Sequence, residues 1–268
     1  MEKNSLLLID NGFASQPSNG CHLLIHITED SFSYAIIDQY SNTPKVLFSV
    51  QHLDQVGNKI STLFSTDSFL SLNFASVKVA VQTSNFMFLP EHLYDKKQTN
   101  NYLKFLNHPE KTEEHKHQEL KIITLIGLNS ELKKVLPEKT VFLPILSPLW
   151  TCINKSLAPC FLVDFGADIV TFLYQKDANL IFQNSFAVCN LEEFNYFLLL
   201  VKQQLGLEET TSILMQGLVD EGDDYANCLK KYFLEVRLNL PKNIAYNKLT
   251  DQMPQHYFNT LLATQLCE

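Results

Sequence analysis

The chain has 268 residues, of which 46% are hydrophobic and 19% charged. This is ample apolar material for one large folded unit or two ordinary domains, and it excludes a predominantly disordered protein. Acidic residues outnumber basic ones by 29 to 21, which gives a net charge of −8. Binding to nucleic acid or to an anionic membrane surface depends on clustered Lys and Arg, so the charge balance argues against both kinds of partner.

The first half of the chain opens with a predicted three-stranded antiparallel meander in residues 21–50. Apolar or alternating runs separated by turn residues predict its strands: Leu23–Ile27, Ser31–Asp38 and Lys45–Val50. Apolar residues at a helical spacing then predict a helix over Asp54–Ser65, since Asp is a favoured N-cap residue. A buried strand at Val77–Val81 follows.

A connecting region comes next, in which we predict an amphipathic helix, a solvated loop of mixed charge and four shorter elements. The helix is Glu91–Leu106 and the loop covers residues 108–119. The shorter elements are a strand at Lys121–Ile126, a helix from Asn129 or Ser130 to Pro137, a strand at Phe142–Pro144 and a helix at Ser147–Ser156. The last helix is predicted to carry the chain into the second half.

The second half repeats the order of the first. Its predicted elements are strands at Phe161–Phe165, Asp168–Lys176 and Asn179–Phe186, a helix over Asn190–Leu205, a strand at Thr211–Met215, a helix at Gly222–Leu234, a strand at Glu235–Leu240 and a helix at Pro254–Gln265. A shift of 138 residues, the separation of Leu23 and Phe161, also places Asp30 on Asp168.

Three strands, a helix, a strand and a helix, present twice, describe a duplicated ribonuclease-H-like unit. We therefore predict an α/β fold class with two ribonuclease-H-like (βββαβα) subdomains and mixed sheets. The first lobe is predicted to span residues 1–146, with the charged loop 108–119, and the second lobe residues 147–268.

The second meander is similar to a phosphate loop of the actin-like ATPase superfamily, which includes actin, Hsp70 and sugar kinases. The similar residues run from Phe161 to Phe172 and read Phe-Leu-Val-Asp-Phe-Gly-Ala-Asp-Ile-Val-Thr-Phe. The resemblance implies an actin-like ATPase arrangement, in which the lobes face each other across a nucleotide cleft. The chain also resembles a bacterial family of that fold with no assigned activity and, more distantly, pilus-assembly protein M and secretion protein L.

The first loop departs from the superfamily's pattern, which reads approximately Asp-x-Gly-(Ser/Thr). His26 stands in place of the acid and Thr28 in place of the glycine, so a Cβ atom occupies the position where the backbone approaches phosphate. Glu29 and Asp30 add two negative charges, each of which repels a phosphate group by ~3 kcal/mol at ~5 Å before Mg²⁺ screens it. We therefore predict no catalytic residue, no metal ligand and no cofactor.

The second loop keeps the acid and the glycine, as Asp164 and Gly166. If a nucleotide binds, the resemblance implies that its contacts are Asp164, Gly166, Asp168 and Gly217, with ATP and Mg²⁺ as cofactors. An alternative interpretation needs no ligand. In it Gly166 forms the hairpin turn, Asp164 caps that turn, and Gly217 permits a turn from strand to helix.

Two other polar clusters are weak candidates for a metal site. His115 and His117 lie near His108, but Lys116 between them opposes a cation and no closed ligand set accompanies them. A solvated loop is therefore favoured. The acidic run at residues 220–224 lacks the ligand spacing of a calcium loop and is expected to cap a helix.

We expect a cytoplasmic protein that does not insert into a membrane. The longest apolar stretches fall short of the ~18–20 residues of a membrane span, and Leu6–Ile9 is shorter than the apolar core of a signal peptide. The six cysteines are widely separated and form no Cys-x-x-Cys motif, which predicts reduced thiols without zinc or disulfides.

The preferred interpretation is a non-catalytic binding or scaffold protein that keeps the two-lobed cleft, has degenerate phosphate loops and engages another protein. The alternative is a nucleotide-binding ATPase or kinase that uses Asp164, Gly166 and Gly217 in the cleft between the lobes. A third hypothesis, a component of a secretion or pilus apparatus, rests on analogy of fold alone.

Overall fold

The computed structural model of the chain describes residues 4–13, 20–53, 56–107, 112–128, 130–153 and 158–268. The strands in these residues are β1 (Ser5–Ile9), β2 (Cys21–Ile27), β3 (Phe32–Asp38), β4 (Pro44–Val50), β5 (Ser76–Val81), β6 (Phe86–Pro90), β7 (Thr112–His117), β8 (Ile122–Gly127), β9 (Val141–Pro144), β10 (Cys160–Phe165), β11 (Ile169–Lys176), β12 (Asn179–Ala187), β13 (Ser212–Gly217) and β14 (Val236–Leu238). The α-helices are α1 (Val56–Thr66), α2 (Thr99–Leu103), α3 (Ser130–Val135), α4 (Leu146–Cys152), α5 (Leu191–Leu205), α6 (Asp224–Lys230) and α7 (Asn259–Ala263).

The first lobe is built on a six-stranded mixed sheet with the order β1-β4-β3-β2-β5-β9. Strands β2, β3 and β4 form the predicted antiparallel meander, and β5 and β9 continue the sheet in parallel with β2. A separate three-stranded antiparallel sheet has the order β6-β8-β7.

The second lobe repeats this architecture in a five-stranded sheet with the order β12-β11-β10-β13-β14. Its meander is antiparallel, and β13 and β14 run parallel to β10. The registers coincide as well, since Ile25 pairs with Tyr34 and Val163, 138 residues later, pairs with Phe172. The predicted duplication and the α/β class with mixed sheets are confirmed.

Helices cover both faces of each sheet. On the outer faces, Ile60 of α1 and Phe194 of α5 are buried in the two main cores. Between the sheets lie α4 and α7, which contact each other. Leu149 of α4 packs on the second sheet and Leu262 of α7 on the first, so the two lobes share one apolar layer. The predicted domain division at 146/147 falls at the start of α4 and stays a prediction.

Local sequence explains how two of these elements begin and end. Asp177 and Ala178 both have positive φ, 54° and 58°, which suits the two-residue turn between β11 and β12. The Asn190 side chain accepts a hydrogen bond from the Glu193 amide at 2.9 Å and begins α5. Gly206, with φ of 61°, ends that helix.

The predicted helix Glu91–Leu106 is wrong in extent. Only α2 is α-helical in this segment, and it follows two 3₁₀ turns at Glu91–Leu93 and Lys96–Gln98. The Asp95 carboxylate accepts a hydrogen bond from the Lys97 amide at 2.9 Å, so a new turn starts where a continuous helix was expected.

The predicted solvated loop is wrong for residues 112–117, which form β7, while residues 108–111 lie outside the described part of the chain. His115 and His117 alternate with the exposed Glu114 and Lys116. The strand has the expected period of two, but imidazoles rather than aliphatic side chains take its inward positions, so no apolar alternation marks it.

The remaining differences concern short elements. Strands β1 and β6 were not predicted. Helix α4 ends at Cys152, and α6 and α7 are shorter than predicted because 3₁₀ or irregular turns replace their ends. Asp54, Asn129 and residues 154–156, which belong to predicted helices, lie outside the described residues.

Candidate functional site

The candidate site lies where the loops after β2 and β10 face each other. Both loops have the same backbone geometry. The Thr28 amide donates to the Ser31 carbonyl at 3.1 Å, and the Gly166 amide donates to the Ile169 carbonyl at 2.7 Å. These are equivalent positions in the duplication, so Thr28 stands where the second loop has Gly166.

The first loop is filled by its own side chain. The buried Thr28 Oγ1 accepts hydrogen bonds from the amides of Asp30 at 3.1 Å and Ser31 at 2.8 Å. The same hydroxyl donates to Asp30 Oδ1 at 2.5 Å. Successive backbone amides of this kind are the groups that bind phosphate in nucleotide sites, and here the Thr28 hydroxyl occupies them.

A carboxylate of the first lobe caps the second loop. Asp30 Oδ2 accepts a hydrogen bond from the Asp168 amide at 3.2 Å, at the position where that amide would meet an anionic ligand. Of the two acids that sequence placed here, only Asp30 faces the other loop. The exposed Glu29 instead accepts hydrogen bonds from the amide and hydroxyl of Ser84, at 3.0 and 2.7 Å.

His52 completes a small polar cluster at the mouth of the cleft. Its Nδ1 lies 3.0 Å from Asp168 Oδ2, and about half of each side chain is exposed, so this pair contributes ~1 kcal/mol or less. Asp30, His52 and Asp168 bring one ligand atom each to within 4.8 Å of one another. Within the described residues, this is the cluster that offers both carboxylate and imidazole ligands to a divalent cation.

Asp164 lies deeper, in a buried polar network between β10, β13 and α7. Its Oδ1 accepts hydrogen bonds from Gln216 Nε2 at 3.0 Å and from Thr260 Oγ1 at 2.8 Å. Burial raises the pKa of Asp164 to about 6, and the two hydrogen bonds act in the opposite direction. Asn239 donates to Gln216 Oε1 at 2.7 Å and Asn259 donates to the Asn239 carbonyl at 2.7 Å. The acid is therefore part of the junction with α7.

His26 is the first-lobe equivalent of Asp164. Burial lowers the pKa of His26 to about 4, against the effect of its hydrogen bond with Gln82, so the imidazole is neutral at physiological pH. Its Nε2 is buried and has no hydrogen-bond partner. Gln82 Nε2 in turn donates to Thr171 Oγ1 of the second lobe at 2.7 Å. An uncharged group thus replaces the acid, and Gln82 ties it to the other lobe.

The two glycines of the candidate site, Gly166 and Gly217, are required by the backbone. A Cβ at Gly166 would lie 2.7 Å from Ile169 Cγ2 and 3.0 Å from the Ile169 carbonyl oxygen. Gly217 has φ of +82°, and a Cβ there would lie 2.1 Å from the Phe165 carbonyl oxygen. The hairpin and the end of β13 need glycine whether or not a ligand binds, and a role for either in nucleotide binding stays a prediction.

The space between the loops is small. His26, Asp164, Gly217 and Tyr257 are among the residues around a cavity of about 60 Å³. Pockets that hold drug-sized ligands have volumes of ~300–1,000 Å³. In this conformation the cavity has room for water and is several-fold smaller than such pockets.

The other predicted polar clusters have structural roles. His117 Nε2 lies 2.9 Å from Thr124 Oγ1 and His115 Nε2 lies 3.2 Å from Ser147 Oγ, so both imidazoles pack inward. Burial lowers the pKa of His117 to about 3. In the acidic run, the Asp223 carboxylate accepts a hydrogen bond from the Ala226 amide at 2.7 Å and caps α6 as expected.

Sequence reasoning missed the contacts that join the lobes, those of His52 and Gln82 above all. The one available signal was the 138-residue shift, which pairs Asp30 with Asp168. Nothing in the spacing of His52 or Gln82 distinguishes them from ordinary polar residues.

Residues 10–236 match the family described as Protein of unknown function (DUF3822). The chain belongs to this family. No curated protein matches the sequence. None of the helices in the described residues is long and apolar enough to cross a lipid bilayer.

Solved structures with the same fold extend over nearly the whole chain. A Bacteroides thetaiotaomicron protein with an actin-like ATPase fold and unknown function has a TM-score of 0.76 at 19% identity, covering 94% of this chain and 97% of that one. A chain of the PilM–PilN type IV pilus biogenesis complex has a TM-score of 0.60 at 10% identity, covering 94% and 98%. The ethanolamine utilization protein EutJ from Carboxydothermus hydrogenoformans has a TM-score of 0.51 at 9% identity, covering 97% and 93%. The actin-like fold is thus confirmed, together with the resemblance to a family without assigned activity.

Proposed function

We propose that the chain is a non-catalytic, cytoplasmic protein of the actin-like fold whose closed lobes serve as a scaffold for another protein. The observation that carries the proposal is the self-occupied first loop. Its Asp30 and Ser31 amides are bound by Thr28 Oγ1, so a phosphate group would have to displace a buried hydroxyl that already satisfies them.

The electrostatics of the cleft support the same proposal. Asp30 holds the Asp168 amide of the second loop, and a triphosphate would have to enter beside that carboxylate. The neutral His26 supplies no negative charge with which to hold Mg²⁺. The lobes are held together by the hydrogen bond from Gln82 to Thr171 and by apolar packing of α4 and α7, neither of which requires a ligand.

Nucleotide binding is the decisive test. A site with a Kd of ~10 µM would stabilise the protein by ~2.7 kcal/mol at ~1 mM Mg-ATP, which corresponds to a rise of ~5–11 °C in Tm for a chain of this size. We expect no rise beyond ~1 °C and no binding heat by isothermal titration. Micromolar binding that is lost in Asp164→Asn would contradict the proposal and support a nucleotide-dependent enzyme instead.

The scaffold role requires a partner that binds without nucleotide. Affinity capture from the native lysate, with mass spectrometry, would identify candidates, and each would be reconstituted from purified components. We expect an affinity of ~10 µM or better that is unchanged by added Mg-ATP. A partner whose binding depends on Mg-ATP would refute the non-catalytic scaffold.

The cytoplasmic location is part of the proposal. Five of the six cysteines are buried and all six are thiols, as expected for a protein in a reducing compartment.

A further inference from the structure

The two duplicated lobes differ at one edge of their sheets. In the first lobe, β4 is covered by β1, which pairs with it from Ser5–Val50 to Ile9–Val46. In the second lobe, β12 has the place of β4, next to β11. Among the described residues, no strand pairs with its other side. The nine-residue β12 therefore presents backbone groups that lack the neighbour β1 provides in the first lobe.

The first lobe shows which backbone groups face outward at this edge. The Asp10 amide donates to the Lys45 carbonyl at 2.8 Å, and the Gln51 amide donates to the Asn4 carbonyl at 3.3 Å. Outward groups alternate along an antiparallel strand, so they lie at positions 45, 47, 49 and 51.

A shared bulge carries this pattern to the second lobe. The pairing skips one residue in each meander, Lys45 in β4 and Ile181 in β12. Positions 45 to 51 therefore correspond to 181 to 187, and the outward groups of β12 lie at 181, 183, 185 and 187. The Ser185 amide agrees with this assignment, since it donates to the side chain of Asn184 at 2.9 Å.

Apart from the bulge and the hydrogen bond between the Ser185 amide and the Asn184 side chain, β12 lacks the features that protect edge strands from pairing. Residues 179–187 contain no charged residue and no proline. At the bulge the first lobe carries Lys45, which pairs with Asp10 at 2.9 Å, whereas the second lobe carries Ile181, which is 50% exposed. Lysine at an edge opposes pairing with another strand, and an exposed isoleucine favours it.

The sequence of β12 is complementary to itself. Ile181–Ala187 reads as two apolar, three polar and two apolar residues from either end. Antiparallel pairing about Asn184 sets Ile181 opposite Ala187, Phe182 opposite Phe186 and Gln183 opposite Ser185, so that each pair matches in polarity. In this register the residues whose backbone groups face outward lie opposite one another, 181 across from 187 and 183 across from 185, as the hydrogen bonds of an antiparallel ladder require.

Beyond the end of the strand, Cys189, Tyr196 and Phe197 line an open, mainly apolar groove. Tyr196 is 61% exposed, so this surface can extend the contact.

We propose that β12 is a homodimer interface, in which two copies of the chain pair antiparallel about Asn184 and join their second-lobe sheets into one sheet of ten strands. The contact is isologous, as in most symmetric dimers. It uses β-strand addition, the pairing that β1 already performs on β4 within one chain.

Light scattering coupled to size exclusion, in ~0.15 M salt and at ~1–100 µM, tests the interface. From a chain mass of 30.7 kDa we expect a dimer of about 61 kDa. The double variant Ile181→Lys with Ala187→Lys places ammonium groups opposite each other twice per dimer, and we expect dimerisation to weaken at least ~10-fold. Tyr40→Lys, at a first-lobe position that is 85% exposed, is the matched control and should dimerise as the wild type does.

The register has its own test. Ile181→Lys with Ala187→Glu places opposite charges across the same contact, so it should dimerise at least ~5-fold more tightly than the double lysine variant. A monomeric wild type, as would follow if a foreign strand covers this edge, overturns the proposal. So does a double lysine variant that dimerises normally, and so does a lysine–glutamate variant no tighter than the double lysine one. Circular dichroism melting confirms that each variant is folded.

Discussion

Asp164 makes the stability of the protein depend on pH in an unusual direction for a carboxyl group. Burial raises its pKa from 3.8 to about 6, so between these values the native state keeps a proton that the unfolded state has released. The stabilising contribution is fully present below pH ~3.8 and is lost as the pH rises through about 6. The difference between the two pKa values corresponds to ~3 kcal/mol in the free energy of unfolding. Of this contribution, ~1.3 kcal/mol is lost between pH 5 and pH 7.

Urea unfolding of the wild type and Asp164→Asn at pH 5 and pH 7 measures this contribution. Other ionisable groups titrate in both proteins and cancel in the double difference. We expect the wild type to gain ~1.3 kcal/mol more than the variant on going from pH 7 to pH 5. Asp251→Asn, which removes an exposed carboxyl, should behave as the wild type. A double difference below ~0.3 kcal/mol, or one of opposite sign, would show that Asp164 is not buried in the network described.

Two further substitutions test the loops, each by urea unfolding. Gly217→Ala is expected to lower the free energy of unfolding by at least ~2 kcal/mol, because its Cβ would meet the Phe165 carbonyl oxygen at 2.1 Å and φ is +82°. The control is Gly222→Ala, whose Cβ would have no atom within 4 Å and which should lower it by less than ~1 kcal/mol. Equal losses in the two variants would contradict the geometry of β13. Thr28→Val is expected to cost ~1–2 kcal/mol because two half-buried amides lose their acceptor. Thr28→Ser keeps the hydroxyl and should lose less than half of that, so similar losses in both variants would show that the hydroxyl does not hold the loop.

The repeated meander was predictable because its strands follow the rules that sequence reasoning uses. Leu23–Ile27 and Phe161–Phe165 are short apolar runs between turn residues, and fully buried strands have this character. Strand β7 was not predictable in the same way. Its inward positions carry His115 and His117, whose contacts are with Thr124 of the neighbouring strand β8 and with Ser147 of α4, which lies outside the sheet.

The substitutions in the first loop were predictable, but their consequence was not. The 138-residue shift showed that Thr28 replaces a glycine and His26 an acid. That the Thr28 hydroxyl holds two amides, and that Asp30 reaches the amide of Asp168, depends on loop geometry and on a contact between residues 138 positions apart. Such contacts are set by the packing of α4 and α7 between the lobes, which no local pattern records.

These changes in the cleft depend on one another. Thr28 Oγ1 holds Oδ1 of Asp30, and this fixes the carboxylate so that its other oxygen meets the Asp168 amide. Asp168 is then oriented to meet His52. Replacing Thr28 by glycine alone would reopen the first loop but leave the Asp30 carboxylate beside the second one. Because Thr28 satisfies the amides of the first loop and Asp30 satisfies the Asp168 amide of the second, opening both loops to a phosphate group would require several changes at once.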